Sequence, residues 1–132
     1  MTTEYIPYPV WDRTMRGRRN EVLFRRRQSA WRLASRVEGE NVTREAYDKA
    51  CDLLNRIQRY ALADAREWEA ENSSERYCNS ATHAHREKLL DARRDRLRAE
   101  LRPYGLNLVN YGLYPSVVDG EGHDLNLLHY FD

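Results

Sequence analysis

No proline or glycine interrupts residues 43–72, and within them Tyr47, Ala50, Leu54, Ile57, Ala61, Ala65 and Trp68 recur at three- and four-residue steps. That spacing predicts one helix about 45 Å long at 1.5 Å per residue. Thr43 stands where an N-cap belongs, and Glu45 follows in the first turn, where its charge suits the helix dipole. Leu53 and Tyr60 widen the apolar stripe. A stripe this long must be covered by other elements, so the rest of the chain has to supply what lies against it.

Asn72-Ser73-Ser74 is a turn and capping cluster, after which a further helix runs to Arg102, stopped by Pro103 and Gly105. Its later turns place Leu90, Leu97 and Leu101 on one face; its opening turns, with Tyr77, Cys78, Ala81 and Ala84, are weaker. The two segments predict an antiparallel helical hairpin. Ahead of it, residues 18–38 form a first helix ending at Gly39, with Leu23, Ala30, Leu33, Ala34 and Val37 on its inner side. Residues 1–17 read as an extended arm, because Pro7 and Pro9 hold Tyr5, Ile6, Tyr8, Val10 and Trp11 out of helix. The arm either straps the chain's own helices or inserts into a partner.

The last 28 residues change character. Residues 106–111, 113–119 and 124–131 are three short apolar or alternating runs, with Gly120-Glu121-Gly122 as a hairpin loop between the second and third. A small antiparallel meander is expected, packed on the helices because two or three strands are marginal alone. The fold class is therefore α+β and mainly helical, a single domain over residues 1–132: arm 1–17, helical region 18–102, hairpin or meander 104–132.

Composition narrows the function. The chain is 33% charged but 11% aromatic, too aromatic for wholesale disorder. No apolar run approaches the roughly 20 residues that span a bilayer, and MTTEYIPYPVWDR has no apolar core behind basic residues, so neither a membrane span nor a secretory leader is expected. Cys51 and Cys78 then read as reduced thiols of a cytoplasmic protein. The net charge of +1 hides an asymmetry: residues 1–37 carry nine arginines against Glu4, Asp12 and Glu21, a net +6, which leaves −5 for the remainder. Of the 22 basic residues all but Lys49 and Lys88 are arginine, as codon bias in a GC-rich genome would give. Arginine is also the better bidentate partner for phosphate or carboxylate.

Tests for an enzyme find little. Cys78, His83 and His85 form Cys-x4-His-x-His, and His123, Asp124 and His129 are further donors. On a helix, however, His83 and His85 point about 200° apart and cannot share one ion, so solvated histidines at a helix start are expected. There is no Gly-x-Ser-x-Gly elbow and no glycine-rich phosphate loop. Glu67, Glu69, Glu71 and Glu75 read as a solvated acidic cluster at a helix end. No catalytic residue, metal or cofactor is assigned.

The binding feature is the first helix. Arg18, Arg25, Arg32 and Arg36 fall within about 40° of one another on its outer side, with Trp11 and Trp31 as flanking aromatic anchors. Three readings stay open for this face: solvated or internally paired, contacting a host or viral protein, or tracking nucleic-acid phosphates. A self-assembling or homodimeric hairpin is a further possibility.

Tyr104-Gly105-Leu106, then Tyr111-Gly112-Leu113-Tyr114-Pro115, Asp119-Gly120-Glu121-Gly122 and His129-Tyr130 make a turn-and-aromatic pattern. It resembles the ending of small accessory proteins encoded by bacteriophages and prophages of GC-rich, actinobacterial hosts. The resemblance covers roughly the last 28 residues and transfers no catalytic residue. It implies a phage accessory protein. Taken with the charge geometry of the first helix, the expected function is that of a non-enzymatic protein that binds, and inhibits or redirects, a host macromolecule such as a defence complex or an essential host protein. Direct DNA or RNA binding through the same helix is the alternative.

Overall fold

The computed structural model describes residues 3–12, 14–110 and 114–130. It is an α+β arrangement, mainly helical. The helices are α1 (Arg18–Glu38), α2 (Arg44–Ser73), α3 (Glu75–Cys78) and α4 (Ala81–Leu101). A 3-10 turn (Arg102–Tyr104) leads from α4 into strands β1 (Asn107–Asn110) and β2 (Pro115–Val118).

The long helix forms as its sequence dictates. The Thr43 side chain accepts from the Ala46 N–H, and α2 runs unbroken to Ser73. It packs against α1 on one side and α4 on the other, the α2–α4 pair making the helical hairpin. Leu33, Leu53, Leu54, Ile57, Tyr60 and Leu101 sit at the centre of a core that also takes Leu106, Leu108, Val117 and Leu127 from the C-terminal region. Across the hairpin Arg56 grips Glu100 bidentately, at 2.6 and 2.7 Å.

Two positions depart from the expected stripes. Val37 is 60% exposed and Trp68 is 54% exposed, although the apolar spacing places both on the inner stripes. In their place Val22 and Phe24 are buried on α1, and Glu67 on α2. The reason on α1 is a second cover: Trp11 of the arm meets Phe24 edge-on, 5.1 Å between ring centroids.

The weak opening of the last predicted helix is a true break. Ser74 caps α3, and Ser80 caps α4 by accepting from the His83 N–H. Past the 3-10 turn, Gly105 takes the left-handed conformation at φ 73°, which a side chain would resist, and the chain reverses into β1.

Among the described residues the sheet has two strands, antiparallel, with Leu108 opposite Val117 and Asn107 opposite Val118. The expected third strand shrinks to one bridge, Val118 with Asp124. Asp124 Oδ1 accepts from the Asn126 N–H at 2.8 Å, and Asn126 itself has φ 53°, so a tight turn ends the pairing. The tail then leaves the sheet and crosses α1. Residues 111–113 and Phe131, at the ends of the predicted runs, lie outside the described residues.

The arm is docked on the chain's own helices. Ile6 donates its N–H to the Val42 carbonyl, Arg44 donates its N–H to the Glu4 carbonyl, and Tyr5 bridges Thr43.

Candidate functional site

The α1 arginines do not form an open row. Arg32 Nη2 donates to the Leu125 carbonyl oxygen at 2.7 Å, and Arg26 Nε donates to that of His129 at 2.9 Å. Arg36 Nε donates to the Tyr104 carbonyl at 2.8 Å. Arg25 pairs with Glu21, one turn earlier on the same helix, at 2.8 Å. Three guanidinium groups thus fix main-chain oxygens of the C-terminal region onto α1, which is how the tail comes to lie there. Arg32 and Arg36 are each held there through one edge of the guanidinium.

Between α1, the arm and the tail lies an open cleft of about 530 Å³, whose lining includes Trp11, Phe24, Arg25, Arg32, Asn126 and His129. Trp11, 44% exposed, forms one wall, and the tail forms the other. Ser29 Oγ and His129 Nε2 share a hydrogen bond of 2.9 Å within it. Burial, and then the charges of Arg25, Arg32 and Arg26, hold the His129 imidazole below its ordinary pKa, so the ring is neutral near pH 7. The cleft therefore offers two exposed guanidinium groups, an indole face and a neutral imidazole, with Glu21 as an acidic lining group.

Of the six residues predicted to make contact, Trp11, Arg25 and Arg32 converge on this cleft. Arg18 borders an adjoining hollow that Arg25 also lines, together with Tyr114 and Tyr130. Arg36 is engaged elsewhere, by the Tyr104 carbonyl. Trp31 is a structural residue: its indole Nε1 donates to the Ile6 carbonyl at 2.7 Å, and Tyr8 packs edge-on against its ring. No local signal in the sequence marks His129 and Asn126 as cleft residues, because only the tail's crossing of α1 brings them there.

The other sequence candidates separate. His123 is exposed and His85 is exposed, whereas His83 is buried at 4% exposure, against the expectation of a solvated histidine. The acidic cluster is likewise not wholly solvated. Glu67 is 7% exposed and accepts hydrogen bonds from Tyr77 Oη and His83 Nδ1. Burial on its own would raise its pKa, but those hydrogen bonds and the Arg86 charge outweigh it and hold the carboxyl below its ordinary value. Complementary groups, an imidazole and a phenol within two turns of the next helices, were the signal available in the sequence. Burial and the Glu71 carboxylate push the Cys78 thiol up, so it is not an activated nucleophile. Cys51, also a free thiol, is raised chiefly by burial.

No described helix is long and apolar enough to cross a membrane. Comparison with protein families, curated proteins and solved structures finds no match to this chain.

Proposed function

We propose that this chain is a binding protein that engages a protein partner through the cleft between α1, the arm and the tail, and that the partner presents an acidic, aromatic-bearing segment. The observation that carries this reading is the convergence of Trp11, Arg25 and Arg32 on one open concavity. Arg and Trp are the side chains that dominate interface energetics when they sit in a pocket that excludes water. A partner carboxylate would take the place of Glu21 on Arg25 and bond the unused edge of Arg32. A partner ring would lie against Trp11.

This reading is favoured over phosphate tracking by the same geometry. Of the α1 arginines, Arg25 and Arg32 line the cleft, while Arg26 and Arg36 are turned to main-chain oxygens of His129 and Tyr104, so the cleft faces a partner with a pair of cations beside an indole rather than with a continuous basic row. In the setting that the C-terminal resemblance implies, a phage-encoded accessory protein, the partner is a host protein whose acidic segment is occupied and thereby blocked.

The experiment is affinity capture from actinobacterial lysate with the natural chain and with Arg25→Glu, each with and without nuclease. A stoichiometric protein that survives nuclease and is lost from Arg25→Glu supports the reading. Recovery that nuclease abolishes would replace it with nucleic-acid binding.

A further inference from the structure

Where the helical hairpin reverses, three elements bring unlike donors together. Glu71 comes from the last turns of α2, Cys78 from the end of α3, and His83 from the first turn of α4. Their donor atoms all lie within 4.8 Å of one another. Cys78 Sγ is 3.8 Å from Glu71 Oε1. His83 Nε2 is 3.8 Å from Glu71 Oε2 and 3.7 Å from Glu87 Oε2, both beyond hydrogen-bond reach.

The second observation concerns the imidazole itself. His83 is almost fully buried, and its Nδ1 lies 2.9 Å from Glu67 Oε1. An ionised carboxylate only accepts, so Glu67 holds a proton on Nδ1 and leaves Nε2 facing the carboxylates of Glu71 and Glu87, where a metal ion would take the place of a proton. A carboxylate behind a histidine, with the far nitrogen aimed at further donors, is the way proteins orient a metal-ligating imidazole. Tyr77 Oη, donating to the same Glu67 oxygen, fixes that carboxylate in turn.

We propose that Glu71, Cys78 and His83 form a binding site for a divalent cation of the zinc type, with Glu67 as the positioning residue and the exposed Glu87 carboxylate, which stands 3.7 Å from His83 Nε2 but is not part of the close trio, swinging in to complete the coordination. Around such an ion, with bonds of about 2.0–2.3 Å, neighbouring donors stand about 3.3–3.8 Å apart. Cys78 and His83 each stand 3.8 Å from Glu71, though from different oxygens of its carboxylate, and with one donor atom per residue no separation among the three exceeds 4.8 Å, so the widest closes by up to about 1 Å. One thiolate and one imidazole favour zinc or cobalt over magnesium or calcium, which prefer all-oxygen shells. On binding, the Cys78 thiol and Nε2 of a protonated His83 lose their protons to solvent, and the sulfur and the nitrogen bond the ion. The ion would tie α2, α3 and α4 at the point where a four-residue α3 alone joins the long helices. The sequence pattern Cys-x4-His-x-His concealed this site, because His85 points away and the missing donors lie on α2 and one turn further along α4. The proposal is independent of the cleft.

The test is titration of the reduced, metal-free full chain with cobalt(II) alone, following the visible bands of tetrahedral cobalt and the near-ultraviolet thiolate-to-cobalt band. Saturation at one equivalent, with both bands present and both removed by zinc, is expected. Cys78→Ser should abolish the thiolate band and weaken binding more than tenfold, and Glu71→Gln should weaken it comparably. Glu67→Gln should lower affinity about 10–100-fold while leaving the thiolate band in place at saturation. Cys51→Ser should change nothing. The absence of a thiolate band in the natural chain, or an affinity and spectrum unaltered by Cys78→Ser, would overturn the proposal. Cys78 and Glu71 are only half-buried, so these variants keep the test decisive even if a change at His83 prevents folding.

Discussion

Arg32 Nη2 and the Leu125 carbonyl oxygen meet at 2.7 Å, so a cation of the proposed binding cleft is held by the segment that forms the cleft's far wall. Recognition and architecture are joined at this residue and separable at Arg25, whose partner Glu21 is exposed on the same helix. Arg32→Ala should lower stability by about 1 kcal/mol, as expected for a charge-assisted hydrogen bond near the surface, and should speed amide exchange in residues 125–129. Arg25→Ala should stay within about 0.5 kcal/mol of the natural chain. Urea unfolding and hydrogen exchange check both.

The two anchoring tryptophans should behave differently. Trp31 is half-buried beneath the arm and donates to Ile6, so Trp31→Phe should cost about 1 kcal/mol by leaving that carbonyl unpaired. Its signature is faster proteolysis within residues 3–12. Trp11→Ala, at a 44% exposed ring, should leave the arm's main-chain bonds to Val42 and Arg44 protected.

Glu67→Ala should be among the most damaging single changes at a charged residue. It strands the His83 Nδ1–H in a buried site and removes the acceptor of Tyr77 Oη, a penalty of about 1–3 kcal/mol. Glu67→Gln keeps an acceptor oxygen and should recover part of that loss, as read by the denaturation midpoint.

His129 gives a pH dependence of definite sign. Its folded pKa is lowered by burial and by Arg25, Arg32 and Arg26 on α1, while Ser29 holds Nε2. The unfolded chain therefore binds a proton that the folded chain refuses. Its contribution is fully present above the ordinary histidine value of about 6.5 and is lost as pH falls below it toward the folded value. His129→Gln should flatten the difference in urea midpoint between about pH 7.5 and pH 5 relative to the natural chain.

The sequence made the helical frame legible, because helices announce themselves through local signals: the Thr43 cap, the unbroken 43–72 stripe, and the Gly39 and Gly105 stops. Tertiary covers were harder to read. Val22 and Phe24 are buried because the arm and tail lie over a second side of α1, and no periodicity within α1 encodes that. Glu67 is buried because α3 and α4 return over the end of α2 with a phenol and an imidazole to meet it; residue type alone puts a glutamate outside. The basic face was visible as charge geometry, but its division between structure and cleft was not. The acceptors of Arg26, Arg32 and Arg36 are main-chain carbonyls, which every residue carries, so no side chain marked them.

The most direct test of the binding cleft is an NMR titration of the natural chain with a short peptide of aspartate and glutamate flanking one aromatic residue, beside single-stranded DNA of equal charge. The cleft reading predicts that the peptide shifts the Trp11 indole, the Arg25 and Arg32 side-chain signals and the His129 ring. Those shifts should disappear in Arg25→Glu and survive moderate salt. Peptide shifts that avoid Trp11 and Arg25, or a DNA response that is stronger and collapses steeply with salt, would contradict it.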